Sequence, residues 1–223
     1  METETTESQS LMKKTSCAFT GHRPTRFSFK YDETHPACIE LKKVLAEQID
    51  FLYRQGITDF YTGCALGIDL WAGEAVLTLA ELHPEIKLHC VIPFAAQDQK
   101  WTSEQQARYR VLLDRSNDVI MTQEKYSKDC YYVRNRYLVD HANIVLAVYD
   151  MQTNKRSGTG YTVHYAQAQS KPIIVIDPDD FHIGFAGSEA QKKYFNFFSK
   201  ILRPTPIKSY LWGERPLRFK RGR

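Results

Sequence analysis

Apolar residues fall into short, nearly unbroken runs, separated by longer stretches where they recur every three or four positions. The runs predict strands at Ser16–Thr20, Ile57–Thr62, Lys87–Pro93, Val119–Thr122, Ile144–Tyr149 and Ile173–Ile176. The periodic stretches predict helices over Pro36–Gln55, Gly67–Leu82, Ser103–Ser116, Cys130–His141 and Thr162–Ser170. Runs such as Ile144-Val145-Leu146-Ala147-Val148 and Ile173-Ile174-Val175-Ile176 lack polar alternation, so both their faces are expected to be buried, as in a parallel sheet. Strands joined through helices give right-handed crossovers. The expected fold class is α/β, with a doubly wound, mostly parallel Rossmann-like sheet and helices on both faces. Pro36 suits the first turn of its helix, and Gly56 suits its end.

Three regions follow from this pattern. Residues 1–14 are polar and acidic at the start and read as a disordered leader. Residues 15–180 hold the Rossmann-like domain. Residues 181–223 read as a C-terminal helix and a basic tail, packed on or extending from the same domain. The helix is expected within Phe181–Lys208, where Phe185, Tyr194, Phe195, Phe197 and Phe198 cluster. Phe195, Phe198 and Leu202 share one helical face, which suits either the sheet edge or a subunit interface. A homodimer or higher homo-oligomer is expected, with this segment as the candidate interface.

The composition fits one domain with a sizeable core: 223 residues, 43% hydrophobic and 25% charged. No apolar run approaches the roughly 20 residues of a membrane span. The opening residues lack the cationic and apolar regions of a secretory signal. Cys17, Cys38, Cys64, Cys90 and Cys130 are odd in number and have no metal-ligand or redox spacing. A reducing cytoplasm and no metal site are the corresponding expectations. The net charge is +4, unevenly placed. From Arg203 onward there are seven basic residues and one acid, so the tail carries +6 and the body −2. The tail is a candidate contact for nucleic acid or simply a solvated segment, and the body is not a basic nucleic-acid surface.

In an open parallel sheet, ligands bind beyond the carboxyl ends of the strands. Four segments arrive there. Thr20-Gly21-His22-Arg23-Pro24 follows the first strand, with a glycine for close approach and two donors for an anion or a base. Thr62-Gly63-Cys64-Ala65-Leu66-Gly67-Ile68-Asp69 forms a strand–glycine turn–helix junction of the kind that presents backbone N–H groups to phosphate. Asp69 falls in the first turn, where it favours the helix dipole or accepts from ribose hydroxyls, and repels phosphate. Arg134-Asn135-Arg136 carries two arginines at i and i+2, so at most one should face a cleft. Ser157-Gly158-Thr159-Gly160 offers two glycines and two hydroxyls at a helix start, a candidate anion cradle. Asp69 and Glu74 are the weak catalytic candidates; Glu74 reads equally as a surface acid or the partner of a basic side chain. Phe94 is a candidate stacking residue or a rim residue.

The order Gly-x-Arg, Thr-Gly-x-Ala-x-Gly-Ile-Asp-x-x-Ala, Arg-Asn-Arg and Gly-Thr-Gly resembles the SLOG superfamily of Rossmann-like proteins, over about Ser16 to Pro178. Thr62–Ala72 and Arg134–Val148 look like the DNA-processing protein DprA. Cys17-Ala18-Phe19-Thr20-Gly21-His22-Arg23-Pro24 is most similar to the YpsA-like branch. The resemblance implies a bacterial or phage protein that binds nucleotides, nucleotide-derived signals or nucleic acid, without a required cofactor. It implies ligand contacts at Gly21, Arg23, Gly63, Gly67, Asp69, Arg134, Arg136, Gly158, Thr159 and Gly160; His22 and Ser157 join these candidates from the reading of their own segments. The LOG phosphoribohydrolases carry a catalytic glutamate where this chain has His164, and that departure counts against their chemistry here. The expected function is a cytoplasmic sensor or regulator holding a nucleotide or an ADP-ribose-like ligand. The alternatives are a hydrolase of N-glycosidic or phosphate bonds and a DprA-like binder of single-stranded nucleic acid.

Overall fold

The computed structural model describes residues 16–150 and 157–186. In chain order these residues form β1 (Ser16–Gly21), α1 (Pro36–Arg54), β2 (Asp59–Thr62), α2 (Ile68–Ala80), β3 (Lys87–Ile92) and α3 (Ser103–Arg115). They continue with β4 (Asp118–Met121), α4 (Cys130–His141), β5 (Ile144–Val148), α5 (Gly158–Ala168), β6 (Ile173–Ile176) and β7 (Ile183–Ala186).

The strands form one sheet in the order β4-β3-β2-β1-β5-β6-β7. All pairs are parallel except β6 with β7. Strand β1 lies at the centre, with Cys17 beside Phe60 on one side and beside Ile144 on the other. The order in which strands are added across the sheet reverses between β1 and β5, which remain parallel. That is the topological switch point, where crossover helices leave a crevice at the strand ends.

Alternation along each strand sorts side chains to two faces. Cys17, Phe19, Phe60, Cys90 and Leu146 pack against Leu41, Leu45 and Ile49 of α1, Trp71 and Val76 of α2, and Leu112 of α3. Ala18, Val91, Val145 and Ala147 pack on the opposite face, beneath Leu138 and Val139 of α4 and Val163 and Ala166 of α5. Each fully buried leucine or isoleucine in these layers contributes about 2 kcal/mol. Helix α1 is set by its ends as well as its buried stripe. Pro36 occupies the first turn, the His35 ring accepts the N–H of Ala37 at 3.1 Å, and Gly56 closes the exit at φ +88°. Among the described residues, no helix is long and apolar enough to cross a membrane. All five cysteines are buried free thiols.

The segment after β6 departs from expectation. A helix was expected within Phe181–Lys208; in the described part of that stretch, Ile183–Ala186 forms strand β7, antiparallel to β6 with Phe185 beside Ile174. The cause is the turn Asp177-Pro178-Asp179-Asp180. The Asp177 carboxylate accepts the N–H of Asp179 and the Asp180 carboxylate accepts the N–H of His182, both at 2.8 Å. Side-chain acceptors at this spacing turn the chain back on itself before a helix can start. The expected leader, the aromatic helix beyond residue 186 with its interface role, and the basic tail lie outside the described residues.

Candidate functional site

A cleft of about 560 Å³ opens at the switch point, above the carboxyl ends of β1 and β5. Its floor is made by Phe19, Thr20 and Gly21. One wall is the β1 corner with His22, Arg23 and Arg26. Another is α4, through Tyr131, Tyr132, Arg134, Asn135 and Leu138. Ala65 and Asp69 enter from the α2 junction, Tyr149 and Asp150 from β5, and Ser157, Gly158 and Thr159 from the start of α5.

Arg134 is the deepest cation. It is 5% exposed, and its Nη1 donates to Asp69 Oδ2 at 3.1 Å. Its Nε is buried and has no acceptor among the described residues. A buried N–H without an acceptor is costly, on the order of 1–3 kcal/mol. Arg134 is also part of the cleft wall. Asp69 stands in the first turn of α2, and burial pushes its carboxyl above the ordinary value, against the opposing charges of Arg134 and Arg23. Arg136, two residues on, faces elsewhere. It is exposed and donates from Nε to the Tyr161 hydroxyl at 2.6 Å.

At the start of α5, Ser157 caps the helix by accepting the N–H of Gly160 at 2.9 Å. The first amides of a helix have no intrahelical acceptor, and here they lie on the cleft wall at Gly158 and Thr159. The helix begins at Gly158 rather than at Thr162, so both glycines of this motif sit inside its first turn.

Most of the glycines meet protein atoms closely. A side chain at Gly63 would collide with the Arg134 guanidinium, and one at Gly21 with Ile68. At Gly67, with φ +94°, a Cβ would lie 2.7 Å from the backbone oxygen of His22. At Gly160 it would lie 2.9 Å from the Tyr149 hydroxyl. These four glycines accommodate neighbouring protein atoms, because elements that converge at the strand ends must approach one another closely. Of the five singled out, only Gly158 meets open space.

Glu74 requires a correction as a catalytic candidate. Arg108 of α3 grips both of its carboxylate oxygens at 2.8 Å, and Glu74 is not part of the cleft. The second carboxylate at the cleft is instead Asp150, directly after β5. Its Oδ2 accepts from Arg26 Nε at 2.9 Å and Nη2 at 2.5 Å, and its Oδ1 lies 3.5 Å from His22 Nε2. Burial holds His22 below the ordinary histidine value, opposed chiefly by Asp150. Asp150, Tyr149, Arg26 and Lys128 were not singled out in the sequence. For Asp150 the signal was its position, a charged residue following an apolar strand at its carboxyl end, as His22 follows β1. Phe94 lies edge-on to Tyr126 and Tyr131, and His164 is exposed on α5 away from the cleft lining. Among the described residues no group of three or more His, Cys, Asp or Glu is arranged to hold a metal ion.

Comparison with known proteins agrees with this architecture. The chain is 29% identical over 173 residues to a UPF0398 protein of Bacillus licheniformis, covering 74% of this chain and 92% of that one. It is 28% identical over 157 residues to a UPF0398 protein of Bacillus thuringiensis, covering 69% and 83%. Its fold is similar to that of DNA processing protein A from Helicobacter pylori, with a TM-score of 0.51 and 18% identity over 87% of this chain and 83% of that chain. The model of the YspA SLOG family (YpsA) matches residues 17–181, all of the described sheet but its last strand. With that match spanning most of its length, the chain belongs to the YspA SLOG family.

Proposed function

We propose that this protein binds a nucleotide or nucleotide derivative in the switch-point cleft, with phosphate between the first amides of α5 and Arg134. The observation that carries this reading is the buried, acceptor-less Nε of Arg134 at a wall shared with a helix N-terminus. Four cationic and two anionic side chains line the cleft, which suits an anion. Its volume falls within the roughly 300–1,000 Å³ usual for small-ligand sites. Tyr131, Tyr132 and Tyr149 offer faces for a base. An ADP-ribose-like ligand matches this combination, and a sensor or regulator is the role it would serve.

The test is calorimetry and thermal shift of the full chain with AMP, ADP, ATP and ADP-ribose. At ligand a hundredfold above Kd, stabilisation of about 2.7 kcal/mol is expected. No shift and no heat with any of the four would overturn the proposal. A second reading draws on the Helicobacter pylori protein, described as having a single-stranded DNA binding mode. Binding of a single-stranded oligonucleotide that weakens steeply with salt, without nucleotide binding, would select it instead.

A further inference from the structure

His22 follows β1 and Asp150 follows β5, so the two stand side by side where the strand order reverses. Arg26 already gives Asp150 a cationic partner and ties the two corners together. The imidazole adds something that clamp does not need. Asp150 Oδ1 lies 3.5 Å from Nε2, a charge contact longer than a hydrogen bond, and the buried Nε2 has no other acceptor among the described residues, so the nearby carboxylate favours the tautomer protonated at Nε2. The basic lone pair then belongs to Nδ1. His22 lines the cleft, and Tyr149 stands between it and the phosphate cradle. The His22 and Tyr149 rings are 5.6 Å apart, and the Tyr149 hydroxyl abuts the first turn of α5 at Gly160. A histidine beside a carboxylate therefore sits one aromatic ring away from the start of α5.

The geometry points to hydrolysis in this cleft: His22 is the general base, Asp150 its positioning residue, and the substrate a nucleotide phosphoanhydride such as a nucleoside diphosphate, a triphosphate or ADP-ribose. The inference rests on the nucleotide-binding reading above. In the step, the water oxygen forms a bond to phosphorus while Nδ1 of His22 takes one of its protons. The bond from phosphorus to the bridging oxygen breaks, and its electron pair leaves with the departing phosphate. One water is consumed and the proton passes from His22 to solvent. The α5 amides and Arg134 face the charge that grows on the phosphoryl oxygens. An anhydride, with two phosphates, accounts for cations at two depths, Arg134 within and Arg23 and Lys128 exposed at the rim.

The protonation state is suitable. Burial lowers the His22 pKa from its ordinary 6.5, Asp150 and Asp179 oppose this, and Arg26 adds to it. The ring is therefore neutral at pH 7 and able to accept a proton.

The full chain is incubated with ADP, ATP and ADP-ribose, with and without magnesium, and products are separated by chromatography. Binding of the same ligands is followed by calorimetry. Anhydride cleavage is expected, rising with pH through a midpoint below 6.5. His22→Gln should slow it about a hundredfold or more while binding persists. Asp150→Asn should lower the plateau and move the midpoint to more acidic pH, because the carboxylate that raises the His22 pKa is gone. Binding without cleavage, release of free base instead of phosphate, or an unchanged rate in a folded His22→Gln protein would each overturn the hydrolytic role and leave nucleotide binding standing. Failure of wild type to bind any of the three would remove both.

Discussion

The guanidinium of Arg134 fills the space that a side chain at Gly63 would need: an added Cβ there would lie 1.2 Å from Nη1. The glycine admits the arginine, and the arginine reaches Asp69. Gly63→Ala should therefore expel Arg134 and leave Asp69 buried without its counter-ion. Loss of a buried pair costs about 3–5 kcal/mol. Urea denaturation should show a loss of that order, and calorimetry should show nucleotide binding abolished.

Gly158 offers the opposite case. Open space surrounds it, so Gly158→Asp is tolerated sterically. An acid in the first helical turn favours the dipole by about 0.3–1 kcal/mol, yet it places negative charge where phosphate is proposed to bind. Unchanged or slightly higher Tm together with at least about tenfold weaker nucleotide binding is expected, a loss of about 1.4 kcal/mol. Retained affinity would mean that the start of α5 does not hold the phosphate.

Two glycines share a left-handed backbone but not a neighbourhood. Gly56 has φ +88° and nothing close by, whereas Gly67 has φ +94° and would meet the His22 carbonyl and Pro24. Gly56→Ala should cost about 1–2 kcal/mol, the conformational term alone. Gly67→Ala should cost distinctly more, since backbone must move as well. Chemical denaturation of the two variants measures the difference.

Acid stability should depend on Glu33. Its carboxylate meets Lys42, Arg108 and the Trp71 indole N–H, joining the loop before α1 to three helices. Burial alone would raise its pKa, but the Arg108 hydrogen bond and the charges of Lys42 and Arg108 hold it down to about 2 from an ordinary 4.5. A depressed carboxyl stabilises the fold above its unfolded value and loses that contribution as pH falls toward the folded one. With the side chain 30% exposed, about 2 kcal/mol is expected after allowing for solvent screening. Glu33→Gln should be less stable than wild type by that amount at pH 6, and the gap should close between pH 4.5 and 2 in denaturation curves.

The sheet was legible because apolar runs and helical periods differ in length and spacing. Ile173–Ile176 was predicted to the residue. Strand β7 was not, because its four residues are too few to show a period and the aromatics that follow suggest a helix. Within the cleft, the i, i+2 spacing of Arg134 and Arg136 rightly admitted only one of them. The glycine motifs show that a close approach is needed and not what approaches: at Gly63 it is Arg134, at Gly21 Ile68. Asp150 and Tyr149 lack any motif, since their meaning comes from β5 lying next to β1, a neighbour 124 residues away in sequence at Arg26–Asp150.

The strand order has a further consequence. Every strand on one side of β1 comes from residues 59–121, and every strand on the other from residues 144–186. A molecule seated at the switch point thus touches both wings of the domain at once. Its occupancy would fasten those wings together, and amide exchange in β5 and β6 should slow along with exchange in β2 when the cleft is filled.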